Sequence, residues 1–189
     1  MLENEMDLNV NNKRIGRATV KVIGVGGGGS NAVNRMYREE LDGIEYICVN
    51  TDAQHLMGLE VPTRISIGEK LTRGLGVGGS SDLGKDSAEE SRDQLYECLR
   101  GADMVFVAAG MGGGTGTGAC PIVAEIAKET GALTIAVVTK PFGFEGHKRK
   151  KAAEDGIAQL RDRVDSLIII PNDRLLQISD MELTTDDAF

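Results

Sequence analysis

The sequence predicts an α/β fold in which a Rossmann-like, doubly wound, mostly parallel sheet of six strands carries helices on both faces. Three observations lead there. Short β-branched runs alternate with longer segments of helical period, the pattern of repeated βαβ units. The runs are apolar on both faces, as expected of strands covered by helices on each side. The 25 glycines of this 189-residue chain exceed the average of about 7%, and they gather in clusters after strands rather than spreading as low complexity.

In chain order, residues 1–17 are polar and aperiodic and read as a flexible N-terminal tail. The body follows from 18 to 189 as one domain without internal repeats. Strands are expected at 18–25, 45–50, 63–68, 104–109, 133–139 and 166–170, and helices at 31–41, 88–100, 119–130 and 148–163. Ser87 with Glu90 three residues on reads as a capping box for the second helix. Gly101 and Gly131 stand where C′ glycines end the second and third helices.

Composition narrows the function. With 41% hydrophobic residues the chain is able to bury roughly 70% of its unfolded surface, which excludes disordered and fibrous classes. Lys plus Arg number 21 and Asp plus Glu 29, a net charge of −8, so neither nucleic acid nor an anionic membrane is an expected partner. No apolar run approaches the roughly 18 to 20 residues that span a bilayer, and the polar start MLENEMDLNVNNKR lacks a secretory signal core. A cytoplasmic protein without direct membrane insertion is expected. Cys48, Cys98 and Cys120 lie far apart and read as reduced core thiols. His55 and His147 lack a second ligand at helical spacing, so no metal held by protein side chains is expected.

The glycine clusters carry the chemistry. In GVGGGGSN, residues 24–31, Gly24, Gly26 and Gly29 fit GxGxxG, and Asp52 stands roughly 20 residues beyond, as in a dinucleotide-binding unit. Gly26, Gly27 and Gly28 bring backbone amides and a helix N-terminus to phosphate oxygens; the plain alternative is a turn needed only for packing. After the fourth strand comes GMGGGTGTGA, residues 110–119. There Gly112, Gly113, Gly114 and Gly116 form an anion-binding nest to which Thr115 and Thr117 add hydroxyl donors. Two cradles on one sheet point to one polyphosphate held from both sides.

A third cluster, GLGVGGSSDLG at 74–84 and including Gly78, reads either as a loop folding over the ligand or as plain surface. Its GSSDLGKD imitates a P-loop, but Asp86 replaces the hydroxyl residue and no strand leads into it. After the fifth strand, Glu145 is placed to accept from ribose hydroxyls and Arg149 to donate to ribose or phosphate. The basic run 147–151 otherwise reads as a solvated helix face. After the sixth, Asn172 or Asp173 in PNDR has the atoms to read a base edge or, equally, to cap a helix.

GGGTGTG (112–118), GVGGGGSNAVNRM (24–36), NTDAQ (50–54), VVTKPFGFEG (137–146) and PNDRLL (171–176) occur in this order, and in them the chain resembles the tubulin/FtsZ family of cell-division GTPases from about residue 15 to its end. That resemblance implies GTP or GDP as ligand, with Mg²⁺ held mainly through the phosphates. It implies nucleotide contacts from Gly27, Gly28 and Asn31, and phosphate contacts from Gly114, Thr115 and Gly116. Glu145 and Arg149 would meet the ribose, Asn172 the guanine, and Phe189 would stack on the base. The loop carrying Gly78 would approach the γ-phosphate, with Ser80 and Ser81 where the family commonly has Asn-Pro.

The resemblance further implies head-to-tail filaments of the protein with itself at the mid-cell division ring, joined there by membrane tethers and regulators. Hydrolysis would use an acidic loop of the neighbouring subunit, so no catalytic residue is expected in this chain. It stops where the family's central helix begins, so 18–189 is expected to be a GTP-binding domain without the central helix and C-terminal domain, with negligible turnover alone. The alternative is an NAD-binding Rossmann oxidoreductase domain. It accounts for GxGxxG and Asp52 but leaves GGGTGTG without a role.

Overall fold

The computed structural model describes residues 18–178. The apolar runs form β1 (Val20–Val25), β2 (Ile44–Asn50), β3 (Thr63–Ser66), β4 (Met104–Gly110), β5 (Leu133–Lys140) and β6 (Ser166–Pro171). All pair in parallel, in the order β3-β2-β1-β4-β5-β6. The chain thus starts mid-sheet, winds to one edge, returns beside β1 and winds to the other. That reversal puts the topological switch point between β1 and β4, where ligands of open α/β sheets bind beyond the carboxyl ends. The helices are α1 (Gly26–Arg38), α2 (Ala53–Met57), α3 (Glu69–Thr72), α4 (Ser81–Glu90), α5 (Arg92–Leu99), α6 (Thr115–Glu129), α7 (His147–Arg161) and α8 (Leu175–Ile178).

Successive strand residues alternate between two cores, as the period of two requires. Ile23 and Val25 of β1 and Val105 and Val107 of β4 pack with Leu95 and Leu99 of α5, Ile126 of α6 and Leu160 of α7. Val22 of β1 and Tyr46 and Cys48 of β2 pack instead with Val33 of α1 and Leu56 of α2. Each large side chain so buried is worth about 1.5–3 kcal/mol. Among the described residues the α1 face is left uncovered over β4 to β6, where Phe106, Ala108, Val137 and Ile170 line an apolar trough of about 650 Å³. The three cysteines are free, as read from the sequence. Burial pushes the Cys48 thiol up to about 11 and the Cys120 thiol up to about 12.

Several element bounds differ from expectation, each for a packing reason. The first helix begins at Gly26 instead of residue 31, and the third major one at Thr115 instead of 119, because their glycines are helical turns pressed against neighbouring backbone. A Cβ on Gly29 would lie 2.2 Å from the Ala108 carbonyl oxygen. The expected helix 88–100 is two helices separated at Ser91, whose hydroxyl accepts from the Gly68 N–H at 3.1 Å. Its first half starts at Ser81, inside the third glycine cluster, with Ser80 as N-cap. The expected capping box does not form: Ser87 is buried mid-helix and its Oγ donates to the Leu83 carbonyl at 2.7 Å. Gly101 and Gly131 do follow α5 and α6 with φ of 80° and 85°, the conformation of a C′ glycine.

One buried charge ties the strands to the helix layer. Lys21, the second residue of β1 and 7% exposed, donates from Nζ to the carbonyls of Cys98 at 2.8 Å and Arg100 at 3.3 Å. It also pairs with Glu45 at 3.2 Å. The ammonium thereby satisfies carbonyls at the C-terminal end of α5, the end where a helix favours positive charge. Lys21→Met is expected to lower stability by about 1–3 kcal/mol, since it leaves those carbonyls without their donor. Urea unfolding measures this, and an unchanged midpoint and slope would contradict it.

Candidate functional site

The carboxyl ends of β1, β2 and β4 open into a hollow of about 540 Å³. Its walls come from Gly27 and Gly28 of α1, from Asn50, Thr51 and Asp52 where β2 runs out, and from His55 of α2. They continue through residues 75–79, Gly110 at the end of β4, residues 113–116 leading into α6, and Arg149 of α7. The two glycine clusters that sequence reading set on one sheet therefore share one cavity.

Close backbone contact holds them there. Gly26 turns with a φ of 72°, and a Cβ on it would lie 2.6 Å from the Gly116 nitrogen. A Cβ on Gly116 would lie 2.5 Å from the Gly110 carbonyl oxygen. Thr115 is fastened across the cavity floor by its hydroxyl, 2.7 Å from that of Thr51. Thr117 accepts from the Gly112 N–H at 2.8 Å and shapes the loop from behind, outside the lining, whereas Thr115 is part of the wall.

The electrostatics favour an anion. Helices α2 and α4 are capped by their own side chains: Asp52 accepts from His55 N–H at 3.1 Å and Ser80 from Leu83 N–H at 3.3 Å. Helices α1 and α6, whose first turns meet at the hollow, have no side-chain cap. Their first-turn amides and the positive ends of their dipoles are the groups that bind phosphate. The first turn of α7 carries the cations Lys148, Arg149 and Lys150, a sign of charge that the helix dipole disfavours at an N-terminus. A bound anion offsets that cost where Arg149 reaches the wall.

Of the other residues singled out in the sequence, Gly78 lines the hollow. Asp52 lines it too, with its Oδ1 capping α2. Glu145 pairs with Arg149, and its other oxygen accepts from the Phe142 N–H at 2.8 Å, so it stands beside the wall without lining it. Asn31 lies on α1 one turn on from Gly27 and Gly28, outside the lining, bonded to His55 at 2.8 Å. Asn172, 3% exposed, lines the apolar trough. Gly28 and Gly110 line both cavities, so trough and hollow adjoin. Asp173 fastens the β5–α7 turn by accepting from the Gly143 N–H at 2.9 Å. Phe189 and the tail 1–17 lie outside the described residues.

Sequence reading passed over Asn50, Thr51, His55 and Gly110 as wall residues. Their signal was position: each stands at or a few residues beyond the carboxyl end of β2 or β4, the two neighbours of β1 in the sheet.

Comparison with known proteins agrees with this geometry. A family model described as the Tubulin/FtsZ family, GTPase domain, matches residues 19–180. The chain is 59% identical over 172 residues to a cell division protein FtsZ of Buchnera aphidicola subsp. Acyrthosiphon pisum (strain APS), covering 91% of this chain and 45% of that one. It superposes on an empty FtsZ dimer structure from M. jannaschii with a TM-score of 0.88 at 43% identity, covering 93% of this chain and 51% of that chain. Against a GDP-bound CetZ1 monomer from Haloferax volcanii the TM-score is 0.79 at 27% identity, with 90% and 55% covered. The chain thus spans about half the length of the relatives it matches. With the family model matched over most of its length and the same six-stranded parallel sheet, this chain belongs to the Tubulin/FtsZ family and carries its GTPase domain.

Proposed function

We propose that this chain binds GTP and GDP in the hollow between β1 and β4 and forms the nucleotide-binding part of a filament-forming cell-division GTPase. The observation that carries the reading is the meeting of two uncapped helix N-termini, each entered through glycines, in one cavity. Amides of residues 26–28 and 112–116 cradle the phosphates, with Thr115 and Thr117 fixing the second loop and the loop at Gly78 closing over the γ-phosphate. Glu145 and Arg149 act as a pair on the ribose. Asn172, in the trough that adjoins the hollow, reads the guanine. Mg²⁺, carried mainly by phosphate oxygens, supplies further positive charge to the triphosphate when bound.

Hydrolysis is phosphoryl transfer to water, which needs charge stabilisation and an oriented nucleophile. The amides and Arg149 supply the first. Asp52 is the one carboxylate among the described residues that line the hollow, and its Oδ1 is engaged as a helix cap. The carboxylates that orient water therefore come from the next subunit in a head-to-tail filament, a heterologous contact that does not close on itself. Assembly and turnover are thereby coupled, at a mid-cell ring where tethers and regulators join the whole protein. An NAD-binding oxidoreductase has no use for the second glycine loop, which here shares the cavity.

Calorimetric titration of the purified chain is expected to show saturable binding of GTP and GDP at one site and none of NAD, with GTP turnover by the chain alone at background. Preference for NAD would overturn the ligand, and filament-like turnover rates would overturn the need for a neighbour. Gly116→Ala, which drives a methyl into the Gly110 carbonyl, is expected to cost about 1–3 kcal/mol of stability and to weaken GDP binding at least about tenfold. Thermal unfolding and calorimetry measure the two, and undiminished GDP affinity would contradict the cradle.

A further inference from the structure

Three side chains beside the hollow form one hydrogen-bond chain whose direction is set from its buried end. The Thr51 N–H donates to Asn50 Oδ1 at 2.9 Å. Asn50 is 4% exposed, and this bond leaves its Nδ2 facing His55 Nδ1, 3.2 Å away. An amide NH₂ only donates, so Nδ1 is the acceptor and the neutral ring carries its proton on Nε2. Nε2–H then donates to Asn31 Oδ1 at 2.8 Å. With Oδ1 so engaged, the NH₂ of Asn31 is the free edge of its amide, solvent-exposed on the α1 face that carries Gly27 and Gly28.

We propose that His55 is a positioning residue for the nucleotide: it locks the Asn31 amide so that its NH₂ donates to a hydrogen-bond acceptor of the bound guanine nucleotide. The inference rests on the reading of the hollow as a guanine-nucleotide site. Removing the imidazole lets an exposed amide turn and offer its oxygen where a donor is needed. The orientation of Asn31 is thus dictated, through two side chains, by a single backbone N–H at the end of β2.

The test is a double-mutant cycle on this chain with GDP as the titrant. His55→Phe and Asn31→Ala are each expected to weaken binding about tenfold, while the double variant binds no more weakly than Asn31→Ala alone. Losses that multiply to about a hundredfold in the double variant overturn the proposal, as does a His55→Phe affinity equal to wild type. The imidazole tautomer is read independently by ¹H–¹⁵N correlation in the nucleotide-free wild type at neutral pH, His147→Gln sorting the signals of the two histidines. A bare Nδ1 with protonated Nε2 is expected, and the opposite tautomer or a doubly protonated ring overturns the relay even if a variant fails to fold. A wild-type chain that binds no GDP at all is a separate result: it sinks the nucleotide reading itself, and with it any role for His55 toward a nucleotide.

Discussion

The first turn of α1 and the first turn of α6 approach so closely that no side chain fits between them. Gly26 lies against Gly116, and Gly116 against Gly110. This contact puts the positive ends of two helices on the same small volume at the switch point of the sheet. A Cβ at Gly26 or Gly116 would meet backbone at 2.6 or 2.5 Å, so the loops would have to move apart. The parallel sheet, the reversal of strand order and the hydroxyl link between Thr51 and Thr115 all hold that approach in register.

The same contact gives a chain of net charge −8 a local concentration of positive helix ends. Whole-molecule charge governs encounter at a distance, whereas the proposed phosphate site offers oriented amides and the Arg149 guanidinium in the wall of one cavity. Fixed dipoles need no reorganisation when the ligand arrives. The side chains around them serve as fasteners: Asp52 and Ser80 cap the adjoining helices, Thr117 holds Gly112, and Asp173 anchors the turn that presents Arg149. The hollow adjoins an apolar trough lined in part by Asn172, a surface of different character from the amide-lined wall.

Much of this was legible in the residues. Strands announce themselves as continuous apolar runs, and all six were found within a few residues of their bounds, although β4 to β6 leave one face uncovered among the described residues. Helix starts were misplaced because glycine has poor helix propensity, about 1 kcal/mol below alanine, and only tertiary contact shows that its missing side chain is what lets the helix begin there. The break at Ser91 has no local signal, since it is fixed by a turn more than 20 residues earlier, at Gly68. Lys21 looked like an ordinary strand residue until the end of α5 was seen above it. His55 sits on a five-residue helix, too short for periodicity to reveal, and its partners Asn31 and Asn50 are brought to it only by the fold.

The central claim is that both glycine loops grip one ligand. Backbone amide exchange followed by NMR during a GDP titration tests it most directly. Amides of residues 26–28 and 113–116 are expected to slow together along one saturation curve. Protection confined to one loop, or two loops saturating at different GDP concentrations, would contradict the account.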